Sequence, residues 1–158
     1  MVYTDPLTKA YNRRFLEEHL YLHHGRNDLA ESITIIMMDM HHFKMINDVY
    51  GHIEGDRVLK GVAKALKGQM RDSDSLIRYG GDEFVIILTD CKEEQIPSFI
   101  DRYREAVSMV RYGPNDSLCA QADFGYAHMQ EYSSNMNELE ELLQLADDRM
   151  YEQKHRAL

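Results

Sequence analysis

Ile33-Thr34-Ile35-Ile36-Met37-Met38 is an unbroken apolar and β-branched run that stops abruptly at Asp39. A run of this kind predicts a central strand that delivers a carboxylate at its C-terminal end. Before it, the stretch from Arg13 to about His24 repeats Phe15, Leu16, Leu20 and Leu22 at helical spacing. After it, Val58, Leu59, Val62, Ala63, Leu66 and Met70 predict a helix from about Asp56 to Gln69. Leu76-Ile77-Arg78-Tyr79 and Phe84-Val85-Ile86-Ile87-Leu88 read as two strands of a hairpin, with Gly80-Gly81-Asp82-Glu83 at its tip and the glycines expected at positive φ. Asp90 and Glu93 have capping-box spacing before a stripe of Ile96, Phe99, Ile100, Tyr103, Val107 and Val110. A last strand from about Leu118 to Ala127 precedes a helix beginning near Asn137, with Leu139, Leu142, Leu143, Ala146 and Met150 on one face. The order α, β, α, α, β, β, α, β, α with a forced hairpin predicts an α+β fold, a partly antiparallel central sheet with helices packed around it, palm-like in form.

Composition narrows the class. The 158 residues, 44% apolar and 28% charged, with 9 Gly and 3 Pro, suit one soluble globular domain without linker or repeat. No apolar stretch is long enough to span a membrane, and the first residues carry no signal-peptide core, so a cytoplasmic location is expected, including the cytoplasmic part of a membrane-anchored protein. With 18 basic residues against 27 acidic ones the formal charge is −9, which disfavours nucleic acid as a partner. A bound nucleotide then needs metal or local cations. Cys91 and Cys119 are too few and wrongly spaced for zinc and read as reduced thiols.

The polar residues concentrate from Asp39 through Asp56, directly behind the buried strand. If the strand bearing Asp39 neighbours the hairpin, then Asp39, Asp82 and Glu83 converge, and hard oxygen ligands so arranged suit Mg²⁺ with a triphosphate. The competing reading is that these acids decorate turns. Adjacent histidines, His23-His24 and His41-His42, lack transition-metal spacing.

Four separated motifs carry a resemblance. Asp5-Pro6-Leu7-Thr8-Lys9-Ala10-Tyr11-Asn12-Arg13-Arg14, Asp39 through Asp56, Arg78-Tyr79-Gly80-Gly81-Asp82-Glu83-Phe84, and Leu145-Ala146-Asp147-Asp148-Arg149-Met150-Tyr151-Glu152-Gln153-Lys154 stand in order along nearly the whole chain. Together they resemble the GGDEF domain, the catalytic domain of diguanylate cyclases, with its palm-like nucleotidyl cyclase architecture.

The resemblance implies condensation of two GTP to cyclic di-GMP with release of two pyrophosphates, on Mg²⁺ or Mn²⁺, across a homodimer. It makes Asp39, Asp82 and the Met40 carbonyl metal ligands, and Glu83 a catalytic acid, either a second metal ligand or the group that helps activate the ribose 3′-hydroxyl. Lys44 and Lys154 become phosphate cations, with Lys44 counted in the catalytic set. Asn47 and Asp56 become guanine readers, Phe43 a substrate contact, and Gly80 and Gly81 points of close backbone approach. Arg71 and Asp74, with five residues between Asp74 and Gly80, match the spacing of the family's product-inhibition site, with Arg102 as a second arginine. Read without the family, Arg71 and Asp74 are a surface ion pair. His52 reads as structural, holding a turn through its ring.

Three departures bear on activity. His41 replaces a second Asp, Asp123-Phe124-Gly125 stands where Ser-Ile-Gly is common, and the closing Arg is displaced, Arg156 lying two residues before Leu158. The acid at 123 weakens the expected pairing of the last strand with the hairpin. A GGDEF module that binds GTP or cyclic di-GMP as a receptor without turnover is the alternative, and another nucleotidyl-transfer enzyme of the same fold a weaker third. A catalytic domain without an evident sensor also implies an upstream sensory or receiver domain in a longer protein.

Overall fold

The apolar run behind the expected central strand is buried on both faces, and its alternation divides the core in two. In this computed structural model, which describes residues 2–22, 32–131 and 136–156, the elements follow as β1 (Tyr11–Asn12), α1 (Arg13–Leu22), β2 (Ile33–Met40), α2 (Phe43–Tyr50), α3 (His52–Lys67), β3 (Ser75–Arg78), β4 (Glu83–Thr89), α4 (Ile96–Ser108), β5 (Arg111–Tyr112), β6 (Leu118–Cys119), β7 (Ala122–Met129) and α5 (Met136–Arg156). Ile36, Met38 and Met40 of β2 pack with Phe84, Ile86 and Leu88 of β4 beneath α3 and α4. The alternate set, Ile33, Ile35 and Met37 with Val85 and Ile87, meets Leu16 of α1 and Leu139, Leu142, Ala146 and Met150 of α5. A period of two feeding two opposite cores is what a strand covered on both sides requires.

The sheet runs β1-β3-β4-β2-β7, parallel only between β1 and β3. The α+β fold and the hairpin therefore stand as the sequence predicts. Asp39 stands at the C-terminal end of β2, as expected, and is paired there on both sides. His23 and His24 and the side chains of Leu20 and Leu22 lie outside the described residues.

Several boundaries differ, each for a local reason. The helix expected from Asp56 starts at His52, since Gly51, at φ 91° and ψ 161°, closes α2 through its N–H on the Asn47 carbonyl and opens α3 through its carbonyl to Gly55 N–H. Positive φ of this kind favours glycine. His52 is exposed at the first position of α3, with no ring hydrogen bond among the described residues, so it does not hold the turn as expected. Gly80 and Gly81 have no positive φ. The helix after β4 is not capped by the Asp90–Glu93 pair: Asp90 turns the chain at φ 54°, and Gln95 Oε1 instead accepts the Lys92 N–H at 3.1 Å. The last strand is two strands. Leu118–Cys119 pairs with Arg111–Tyr112 in a separate hairpin, Ala120 N–H binds the Val110 carbonyl, and β7 starts at Ala122 beside β2.

Two close contacts set the outer elements. Asp5 accepts from the Thr8 amide and hydroxyl at 2.9 and 2.7 Å and meets Arg78 at 3.2 Å, while Arg78 also donates to the Gly81 carbonyl. The first loop is thereby tied to the hairpin tip. Burial acts to raise the Asp5 pKa, but the Thr8 and Arg78 contacts outweigh it and leave it below the usual value. On the far side, a Cβ at Gly125 would lie 2.1 Å from Met150 N and 2.4 Å from the Ala146 carbonyl, so β7 and α5 are in backbone contact there. Gly125→Ala is expected to push α5 off β7 and cost about 1–3 kcal/mol as overpacking. Urea unfolding of the variant checks this, and an unchanged midpoint contradicts it.

Candidate active site

Strand register puts Glu83 of β4, Asp39 of β2 and Asp123 of β7 directly opposite one another across three adjacent strands. Opposed residues of neighbouring strands share a face, so three carboxylates stand in a row at one end of the sheet. Asp82, in the hairpin turn, joins from the side: its carbonyl accepts the Met40 N–H at 3.0 Å, and its carboxyl is near enough to feel the Asp39 charge. Burial, and then the Asp39 charge, raises the Asp82 pKa. Burial, and then Asp39, Asp82 and Asp147, raises that of Glu83.

The counter-charge comes from α5. Lys154 Nζ lies 2.9 Å from Asp39 Oδ2, and that bond raises the lysine pKa. Asp39 Oδ1 is buried without a hydrogen-bond partner. An orphaned carboxylate oxygen amid other oxygen donors fits a hard divalent cation. Among the described residues no three His, Cys, Asp or Glu side chains form a ready-made metal cage, so Asp39 and Asp82 are a pair with Glu83 alongside. Gly80 leaves room for that third acid: a Cβ there would lie 2.6 Å from Glu83 Oε1, whereas one at Gly81 meets nothing. Asp147, which the sequence reading did not assign, belongs with this group. It lines a 300 Å³ pocket with Glu83, Glu140 and Tyr79, and burial followed by Asp148 and Asp39 raises its pKa. Its place in the closing motif, seven residues before Lys154, was the available signal.

A second group forms where α2 meets α3. A Cβ at Gly55 would fall 1.8 Å from Asn47 Oδ1 and 3.3 Å from the Phe43 ring. Phe43 and Asn47 thus meet α3 at Gly55, one residue before Asp56, and Asn47 Oδ1 is a second buried acceptor without a partner. Lys44, on the same helix, is exposed, as is Asp56.

A family model described as "Diguanylate cyclase, GGDEF domain" matches residues 2–157. The chain belongs to the GGDEF domain family. It is 37% identical over 154 residues to the uncharacterized protein YhcK of Bacillus subtilis, covering 95% of this chain and 42% of YhcK. It is 32% identical over 161 residues to diguanylate cyclase A of Treponema denticola, covering 98% and 42%. The chain thus spans less than half the length of either relative. Among solved structures, it resembles diguanylate cyclase SiaD in complex with its activator SiaC, from Pseudomonas aeruginosa, with a TM-score of 0.84, 28% identity, and coverage of 97% of this chain and 58% of that one.

Two departures of this GGDEF domain from the family's pattern meet each other. His41 Nε2 lies 2.5 Å from Asp123 Oδ2, an ion pair when the ring is protonated, although Oδ2 has no aligned hydrogen-bond partner. Asp123 does not sit beside the hairpin, because β2 lies between them. Arg156 lines a groove with Arg104, Arg149, Phe124 and Tyr126, and none of the row's carboxylates lines it.

Arg71, Asp74 and Arg102 are brought together on another face. Arg71 meets the nearly buried Asp74 at 2.9 Å and donates to the Thr89 carbonyl at 2.8 Å. Arg71 and Arg102 both lie over the Phe99 ring, at 5.8 and 4.8 Å. Beneath them Tyr103 is buried, and burial pushes its hydroxyl pKa up to about 12.

Raised carboxyl pKa values mean that the folded state holds these protons more tightly than the unfolded chain, so stability is lost as pH rises through them and regained as pH falls. Asp82→Asn removes one member of the repelling pair. In chelator-containing buffer the variant is expected to melt above the parent at pH 7, with the difference shrinking toward pH 5. Thermal melts across that range check it, and a variant less stable than the parent at pH 7 contradicts it.

Proposed function

We propose that the domain is an active diguanylate cyclase that condenses two GTP into cyclic di-GMP and two pyrophosphates. The observation that carries this reading is the pairing of Asp39 on β2 with Glu83 on β4, with Asp82 of the hairpin turn beside them and Lys154 bound to Asp39. In this reading Asp39, Asp82, Glu83 and the Met40 carbonyl hold Mg²⁺ or Mn²⁺. When bound, the ion neutralises triphosphate charge and lowers the pKa of a coordinated hydroxyl.

The chain's own residues do the rest. Asp56 accepts from guanine N1–H and the 2-amino group and the Asn47 side chain completes the reading, which leaves adenine unmatched. Phe43 lines the base site. Lys44 and Lys154 bind phosphate oxygens; Lys154, already drawn in by Asp39, is the better positioned of the two. Glu83, beside Asp39 across the strand pair, accepts the ribose 3′-hydroxyl proton as that oxygen attacks the α-phosphorus and the bond to pyrophosphate breaks. The Asp39–Lys154 contact spans 115 residues and makes α5 part of the site. One chain offers one such site, so closing the ring requires a second GTP presented by a second copy. The greater length of the relatives fits a catalytic module within a larger protein carrying a sensory or receiver domain.

Arg71, Asp74 and Arg102 support a second part of the reading, inhibition by the product. Arginines stacked over Phe99 offer flat cationic faces to guanine and donors to phosphate, and Asp74 offers an acceptor to a guanine edge.

Chromatography of products from GTP with Mg²⁺ is expected to yield cyclic di-GMP at a specific rate that rises with protein concentration. Binding of GTP without product reassigns the chain to a receptor role. Glu83→Gln and Asp82→Asn are each expected to lose synthesis by about a hundredfold or more while remaining folded. Turnover near the parent's in either variant removes the centre. Arg71→Ala is expected to relieve inhibition by cyclic di-GMP with KM for GTP unchanged, and equal inhibition of both proteins makes Arg71 a surface arginine only.

A further inference from the structure

Four of the chain's seven lysines line one pocket. It measures 560 Å³ and is bounded by Pro6, Leu7, Thr8 and Lys9 of the first loop and by Lys60, Lys64 and Lys67 of α3. No carboxylate lines it, in a domain where acids outnumber bases by 27 to 18. Among the described residues none of these lysines makes an ion pair. None of the seven lining residues belongs to the carboxylate row or the base site, so this pocket stands independently of the reading above.

Helical spacing accounts for three of the lysines. Positions 60, 64 and 67 share one face of α3, opposite the buried Val58, Leu59, Val62 and Leu66. Ammonium groups so spaced repel one another, which isolated solvated lysines avoid by alternating with acids. The fourth comes from a distant, rigid loop. Asp5, the acid closest in sequence, is committed to Thr8 and Arg78, and its carbonyl accepts the Lys9 N–H at 2.9 Å. Lys9 is held at φ 65°, a region non-glycine residues rarely occupy, and Lys67 Nζ clamps its carbonyl at 2.8 Å. Burial lowers the Lys67 pKa, consistent with an ammonium partly withdrawn from water. Cations gathered without counter-charge around a cleft of ligand size form an anion site.

We propose that this pocket binds a small oligophosphate anion. Lysines are point charges with rotatable donors and suit tetrahedral phosphate oxygens, whereas a planar carboxylate favours the arginine fork. Several ammonium groups around one cleft call for a ligand with more than one phosphate charge. Pro6, Leu7 and the lysine stems leave apolar wall for an organic portion. A free oligophosphate and a phosphorylated lipid headgroup share this chemistry.

The test uses inorganic pyrophosphate, titrated calorimetrically without divalent cations, against the intact domain, Lys60→Gln/Lys64→Gln, Lys92→Gln and Lys44→Ala. Lys60 and Lys64 are exposed and make no side-chain hydrogen bond among the described residues, so thermal melts should coincide with the parent's. The double variant is expected to bind about tenfold more weakly or worse, while Lys92→Gln and Lys44→Ala retain a salt-sensitive binding event. Sedimentation with phosphatidylcholine vesicles with and without a phosphatidylinositol bisphosphate separates the sources: loss of binding to the phosphorylated-lipid vesicles in the double variant assigns a headgroup, and pyrophosphate binding alone assigns a free anion. Equal affinity in the parent and the double variant for both probes, or loss of all pyrophosphate binding in Lys44→Ala, overturns the proposal.

Discussion

Carboxylates fixed side by side on adjacent strands repel one another, and Glu83, Asp39 and Asp123 are so fixed by the same hydrogen-bond register that builds the core. The sheet cannot slip to relieve them, because a shift of one residue would turn Ile33, Ile35 and Met37 out of one core and into the other. Relief comes from groups brought to the end of the sheet. Lys154 carries a cation to Asp39 from α5, and the His41 ring lies against Asp123 from the residue after β2. Burial first, and the neighbouring carboxylates second, raise the pKa values of Asp82, Glu83 and Asp147.

That arrangement makes the packing of α5 a property of the site. Gly125 lets the helix backbone reach β7, and Gln153 Oε1 takes the Phe124 N–H at 2.7 Å, one residue before Lys154. On the opposite face of the sheet the glycine at 55 plays a parallel part, letting α3 approach Asn47 on α2. The carboxylate row therefore depends on a helix in backbone contact with β7, and the Asn47 group on a helix whose glycine admits the Asn47 and Phe43 side chains. The hairpin tip between them is braced by Arg78, which links Asp5 to the Gly81 carbonyl.

His41 and Asp123 show how far a reading by position can go. Taken one at a time, each is a departure from the GGDEF pattern, and Asp123 argues against its own strand's pairing. Across β2 and β7 they are a contact, and the acid joins the row through β2 without touching the hairpin. Arg71 and Asp74 give the opposite case. Three residues apart at the end of a helix, they form the local ion pair that sequence alone suggests, while the Phe99 ring shared with Arg102 is a tertiary feature.

By itself the sequence determined what local interactions determine. The alternation of Ile33 through Met38, the Leu and Val stripes of the helices and the Gly80-Gly81-Asp82-Glu83 turn announce the elements and the α+β class, and four motifs announce the family. Boundaries at His52, Ala122 and Lys92 escaped it, because Gly51 serves two helices at once, a short hairpin takes Cys119, and Gln95 outcompetes Glu93 for the cap. Only the tertiary structure decided which acids stand in one row, that Lys154 answers Asp39 from 115 residues away, and that Lys9 joins the lysines of α3. The reason is physical: periodicity follows from each residue's immediate neighbours, whereas register and juxtaposition follow from burying two whole faces of a sheet at once.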